Sequence, residues 1–348
     1  MLLRDTHATW ARPWIAMLLV VCFVVPAFAG EGEDTGADAP ESIPEPPSGF
    51  SDEALELAAR LPVQDQGRVK PFSTWAGFLL LRISGRKTFK PDVEGAKRMS
   101  ATQWALESLF FPEHAANYEV VLVTDRDALV DVGLEAAADR KRDRYSFTDL
   151  APGWEKMQRK ALQYGEKEAK TRTRIETQVV NIARSMRDLN ALLAGGEFAR
   201  HPIESYGLLD GSTVSEPVPF SKALERWPEA AERFLALMRT HNQSQEPPEE
   251  AQRYGRFLGE IDHRASGSRI LHLLPPIDPE VEDWLAVADV VDFRSQLGSA
   301  QPDFTIAPEH VEAIRRMEAL DDSRNDPALF ASAMESLLAH TRTMAEGR

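Results

Sequence analysis

Leu61-Pro62-Val63-Gln64-Asp65-Gln66-Gly67-Arg68-Val69-Lys70-Pro71-Phe72, running on through Ser73-Thr74-Trp75-Ala76-Gly77-Phe78-Leu79-Leu80-Leu81-Arg82-Ile83-Ser84-Gly85, sets the architecture of this chain. Asp65-Gln66-Gly67-Arg68 is a polar turn in which Gly67 supplies a positive φ, and Val63 and Val69 suit short extended arms. A small hairpin or Ω-like turn is expected. Pro71 then falls where a helix begins, a position that tolerates its missing N–H. The helix over 72–83 carries Trp75, Phe78, Leu79, Leu80 and Leu81 on nearly every face, and Gly85 can close it in the left-handed conformation. Such a helix is expected in the middle of a core.

Upstream, Ser51 can cap a helix over 52–61 whose apolar face is Leu55, Leu57, Ala58 and Leu61. Residues 30–50 are acidic, rich in Pro and Gly and poor in apolar side chains. They cannot offset the entropy of ordering and are expected to form a flexible acidic linker. Residues 1–29 have the grammar of an export signal: Arg4 and Arg12, an apolar run over 14–25, then Ala27-Phe28-Ala29 as a cleavage site. The run is shorter than the ~20 residues of a spanning helix, so cleavage after Ala29 is expected, with retention as an anchor the alternative. Cys22, the one cysteine, leaves with the signal, which excludes disulfide and thiol chemistry from the mature chain. The full chain carries −15 at pH 7, and loss of Arg4, Arg12 and Asp5 takes it to −16. Nucleic acid is excluded as a partner for such a surface.

Downstream, Ser100-Ala101-Thr102-Gln103 reads as a capping box for a helix to Phe111, stopped by Pro112. Residues 118–123 and 145–147 read as short strands, with a helix over 126–134 between them. Over 154–193, Met157, Ala161, Tyr164, Ile175, Val179, Ile182, Met186 and Leu189 recur near the helical period, predicting one long helix of ~60 Å. Residues 220–237 and 250–261 predict amphipathic helices that fold back on it as a hairpin arm. A strand over 268–276 and helices over 308–320 and 328–344 complete the set. The fold class is therefore mainly α with a few short β-strands. Its parts are a signal peptide (1–29), the linker (30–50), an N-terminal α+β subdomain (51–152), a long helical hairpin arm (153–263) and C-terminal elements packing back (264–348).

Motifs for the commonest enzyme chemistries are absent: no H-E-x-x-H, no G-x-S-x-G, no phosphate-binding Gly loop and no C-x-x-C-H. Glu260 and His263, three apart, have the spacing of a di-iron half-site, yet no second E-x-x-H exists to complete one. An exposed polar helix end is the simpler reading. His272 reads as a core or interface histidine, and His114, His201, His310 and His340 have no grouping spacing. The stretch 140–193 is locally basic, either a solvated face with i,i+4 pairs or a strip meeting an anionic membrane or acidic partner.

The run 61–72, with Ala76, Leu79, Leu81, Arg82-Ile83-Ser84-Gly85-Arg86-Lys87 and Phe89, resembles the extracytoplasmic region of cytochrome c biogenesis proteins of the CcsA/ResC and CcsB/ResB type. That family has a PVQD-x-GR-x-KP turn followed by an apolar helix and an R-x-ISGK end. Residues 100–112 are similar to its next helix. Arg269-Ile270-Leu271-His272-Leu273-Leu274-Pro275-Pro276, with Asp278, Pro279 and Trp284, is similar to a later strand, proline turn and tryptophan. The resemblance implies a non-enzymatic accessory of cytochrome c maturation at the periplasmic face of the inner membrane. Its implied partners are a multi-spanning haem-handling protein or module and apocytochrome c. Haem belongs to that membrane module, with its WWD segment and embedded histidines. None of Trp75, Trp104, Trp154, Trp227 or Trp284 stands in such a motif, so no cofactor is assigned to this chain. The module is either a separate chain or a continuation of this one. Candidate contact residues are Asp65 and Arg68, as a charged pair or partner contact, Gly67 for backbone geometry, and Lys70 and Pro71 for placing the helix; the alternative is that the turn only packs. Rival readings are an unrelated periplasmic scaffold and a hydrolase with a triad assembled from distant residues.

Overall fold

Asp65 and Arg68 close a two-residue loop in which Gln66 and Gly67 both take positive φ, 54° and 70°. This is the signature of the turn whose twist matches a tight hairpin, and glycine adopts it without steric cost. β1 (Pro62–Asp65) and β2 (Arg68–Pro71) pair antiparallel, with Gln64 opposite Val69. In such a ladder, backbone groups point alternately into and out of the pair. The Gln64 N–H points out and donates to the His272 carbonyl at 3.0 Å. The Gln64 side chain completes the tie: Nε2 donates to the Glu282 carbonyl at 2.8 Å, and Oε1 accepts the Trp284 N–H at 2.7 Å. Leu274 and Leu285 exchange two backbone bonds of their own, at 3.0 and 2.7 Å. The stretch 272–285 is thus a loop fastened to the hairpin.

These elements belong to a computed structural model that describes residues 49–91, 97–135, 143–208, 216–241, 246–292 and 303–346. Apart from Asp303, the described residues fall in one compact unit, Ile43–Phe293 with Phe304–Arg348. The expected signal peptide and residues 30–48 of the linker lie outside them. Among the described residues the chain is 62% helical, with four two-stranded sheets. It is mainly α with minor β.

Helices of eight or more residues in the described parts are α1 (Asp52–Ala59), α2 (Phe72–Ser84), α3 (Ala101–Phe110), α4 (Trp154–Gly165), α5 (Arg174–Leu193), α6 (Trp227–Thr240), α7 (Glu249–Ser266), α8 (Pro308–Asp322) and α9 (Pro327–Ala345). α1 packs on α9, and α2 packs on α3 and α5. One hydrophobic cluster includes Phe72 and Leu80 of α2, Trp104 of α3, Met186 of α5, Phe257 of α7 and Phe330 of α9. Each fully buried large apolar side chain contributes about 1.5–3 kcal/mol. Pro71, with φ −60°, caps the start of α2, and Gly85, with φ 69°, ends it.

Several boundaries depart from the periodicity. The single helix expected over 154–193 is two, α4 and α5, packed as a hairpin. Thr173 and Glu176 form a capping box that starts α5 afresh, and Arg172 donates to the carbonyls of Gly165 and Lys167 at 2.8 Å each. The helix over 220–237 is divided into Phe220–Leu224 and α6, where Pro228 occupies the first turn of the second piece. The strand over 268–276 begins as a 3₁₀ turn, Gly267–Ile270. A Cβ on Gly267 would lie 2.4 Å from the Ala194 carbonyl oxygen, so only glycine lets α7 end against α5. The second strand ends at Tyr145, because Ser146 and Asp149 form a capping box and turn the chain helical at Phe147. The linker's last residue, Phe50, is fixed: its ring lies 4.6 Å from that of Phe330 and 5.9 Å from that of Phe111.

Glu318 on α8 is buried and accepts the Ser221 N–H at 3.0 Å, at the start of the Phe220–Leu224 helix. Burial raises its pKa above the ordinary carboxylate value. A folded-state pKa above the unfolded one leaves stability intact at acid pH and erodes it as pH rises through the folded value. Glu318→Gln should therefore be more stable than the parent at pH 8, with the difference shrinking toward pH 4, in denaturant titrations at each pH. Gln64→Ala should cost about 1–2 kcal/mol, the worth of two hydrogen bonds, and should accelerate amide exchange at Trp284 more than in α5.

Candidate functional site

Side chains alternate across a hairpin, so Val63, Asp65, Arg68 and Lys70 share one face, while Gln64 and Val69 share the other. The Gln64 face is taken by the 282–284 backbone. The Asp65 face turns toward α2. There Lys70 reaches diagonally across the hairpin to Asp65, Nζ to Oδ2 at 2.9 Å. Its ammonium also sits 5.6 Å from the centroid of the Phe78 ring, and that of Lys87 sits 5.7 Å from the same ring. Each such contact is worth about 0.5–1 kcal/mol at an exposed site. The two cations hold a ring that the core does not cover.

Phe78 is 50% exposed and Leu81 38%. This corrects the expectation that α2 lies wholly inside the core: Phe72, Trp75, Ala76, Leu79, Leu80 and Ile83 are buried, but the stripe through Thr74, Phe78, Leu81 and Arg82 faces solvent. With Asp65, Gln66, Arg68 and Lys70 of the hairpin, Phe78, Leu81 and Arg82 line an open cleft of about 680 Å³. Arg82 donates to Asp188 at 2.8 Å, which fixes the cleft's far wall to α5. Val69, Phe78, Leu81, Ile277 and Val281 are five of the eight exposed large apolar side chains among the described residues. All five belong to the hairpin, to α2 or to the loop fastened by Gln64, so this region is where the protein leaves apolar surface uncovered.

The residues singled out in the turn are all here. Gly67 holds its positive φ at the tip, and Pro71 ends β2 and caps α2. The charged pair differs from expectation: Asp65 takes Lys70, and Arg68 is left exposed at the rim. A diagonal reach suits the long lysine stem, while Arg68, directly opposite Asp65 at the tip, extends into water. Sequence periodicity gave no role to Gln64, Phe78, Leu81 or Lys87 at this surface. The available signal was the placing of Thr74 and Arg82 each four residues from Phe78, which marks a polar-flanked stripe on α2.

Other candidates resolve into local structure. Glu260 accepts the Tyr206 hydroxyl at 3.1 Å and lies 3.9 Å from Arg264, which itself pairs with Glu197. Among the described residues no group of three or more His, Cys, Asp or Glu could hold a metal ion. His272 is 40% exposed at its side chain and lies 3.9 Å from Asp289, so it edges the loop and not the core. His310 is buried, its Nε2–H donating to the Pro275 carbonyl at 2.8 Å. His340 does the same to Glu309 at 2.9 Å. Among the described residues the basic stretch pairs between elements as Lys160 with Asp131, Lys167 with Glu176 and Arg174 with Asp125, and locally as Lys170 with Glu168 and, at i,i+4, Arg159 with Glu155.

Scans of family models, of curated proteins and of solved structures each return no match to this chain. No helix among the described residues is long and apolar enough to cross a membrane.

Phe78→Ser should cost about 1–2 kcal/mol, the worth of its two cation–ring contacts, whereas Leu79→Ala beside it should cost about 2–5 kcal/mol. Urea denaturation of the two variants checks which face of α2 the core uses.

Proposed function

We propose that this chain is a non-enzymatic extracytoplasmic docking domain of cytochrome c maturation, working beside a membrane-embedded haem-handling module. One observation carries the reading. The two stretches that resemble the biogenesis proteins, 61–89 and 269–284, meet through Gln64, and each leaves large apolar side chains exposed. A turn that served packing alone would direct its large side chains inward. This one leaves Arg68 in solvent at the rim of a cleft floored by Phe78 of α2, with Val69 exposed on the reverse face. Docking, with haem held by the partner, uses that surface without asking this chain for a catalytic group. Export by residues 1–29 would put the domain on the side of the membrane where such partners work, and apocytochrome c is the other partner the pathway supplies.

Affinity-tagged full-length chain, recovered from detergent-solubilised membranes of its own cells, should bring down a multi-spanning haem protein. The doubly substituted Arg68→Glu, Phe78→Ser chain should recover about tenfold less, the effect expected of central contact residues. Cells deprived of the chain should lose covalently bound c-type haem. Undiminished recovery with the double variant, or substrate turnover by the purified chain alone, would overturn the reading.

A further inference from the structure

The ladder alternation that sends the Gln64 backbone outward to His272 also sends the Val69 N–H and C=O outward, at the opposite edge of the hairpin. That edge is short. Lys70 lies inward of it and Pro71, without an N–H, closes it, so it offers one rung to an added strand. Beside it, the cleft presents the Phe78 ring and Leu81 as an apolar floor, with Arg68, Lys70, Arg82 and Lys87 around them. Lys70 and Arg82 are neutralised by Asp65 and Asp188, which leaves Arg68 and Lys87 as the net positive charge of the rim. On the other face of the hairpin the fastened loop carries Asp278, Glu280, Glu282 and Asp283. A protein of net charge −15 thus gathers cations around its exposed aromatic and sets acids on the reverse side.

We infer that the outer edge of β2 and the Phe78–Leu81 cleft together receive an extended, acidic segment of a partner protein whose cleft-facing alternate positions carry apolar side chains flanked by acids. The inference rests on the docking reading above and specifies the partner's chemistry at that same site. Strand addition fits because the Val69 rung supplies main-chain bonds and the neighbouring cleft supplies a pocket for alternate side chains. Acid is selected by Arg68 and Lys87, and the acidic loop repels the same segment from the Gln64 face, which fixes one side of the hairpin for binding. A flat anionic membrane would meet the rim charges but leave a concave floor unfilled, so a peptide is the better match to the shape.

The test uses the full-length chain and a fluorescein-labelled peptide, Glu-Thr-Leu-Thr-Leu-Thr-Glu, whose acids and leucines share one strand face, read by anisotropy. The acidic peptide should bind, its Gln analogue should bind about tenfold more weakly, and its Lys analogue should not bind. Raising salt from about 50 to about 500 mM should weaken binding about tenfold. Arg68→Glu and Phe78→Ser should each weaken it about tenfold, while Leu162→Ser, at an exposed position on α4, should leave it unchanged. Amide exchange at Val69 should slow in the complex. Equal binding of all three peptides, insensitivity to both cleft variants, or binding of phosphatidylglycerol vesicles in place of the peptide would overturn the inference. Should the haem protein still co-purify while the peptide fails to bind, the acidic-strand inference falls and the docking reading stands. Should the peptide bind with no haem protein recovered, the strand site stands and the docking reading falls.

Discussion

A single side-chain amide fastens the hairpin of this molecule to a distant loop. Gln64 offers a donor and an acceptor at one end of a short stem, and uses them on the carbonyl of Glu282 and the N–H of Trp284, more than 200 positions away in the chain. Buried or half-buried backbone groups need partners, and the loop from Leu274 to Leu285 has few of its own. The amide stands in for a missing strand rung. With it in place, the hairpin can present only one face to α2, and only one of its edges remains open.

From that constraint the exposed aromatic follows. α2 is apolar on nearly all sides, but the hairpin that leads into it and α3 and α5 behind it cover only part of its circumference. The uncovered stripe would be a liability on an unpatterned surface. Here Lys70 and Lys87 lie over the Phe78 ring and Arg82 is braced on Asp188, so the stripe is held as the floor of a basic cleft. Long cationic stems flank the apolar surface while their charged ends stay wet. The same arrangement gives the docking reading its physical content.

Much of this was legible in sequence where a rule is local. Gly67, Pro71 and Gly85 each act through their own backbone preference, and each does what its residue type dictates. Ser51 and Ser100 cap α1 and α3 as their spacing predicts, although the Gln103 side chain goes to Glu107 at 2.8 Å and leaves half a capping box. The Thr173-x-x-Glu176 box was equally local, but the apolar period runs through Gly165 and Thr173 without a phase break and hides it. Gln64 was not legible, since its partners are backbone groups that no residue type marks. The exposure of Phe78 and Leu81 depends on which neighbours fail to arrive, a property of tertiary packing that composition does not encode. The Asp65 partner turned on stem length and diagonal geometry, which adjacency in sequence obscured.

Docking requires the cleft to be a contact surface in the living cell. A photo-crosslinking amino acid placed at position 78 of the full-length chain, irradiated in intact cells, interrogates that surface directly. Docking through the cleft yields a defined adduct with a multi-spanning membrane protein, and none from the same probe at position 162 on α4. No adduct at 78, or equal adducts at both positions, would contradict it.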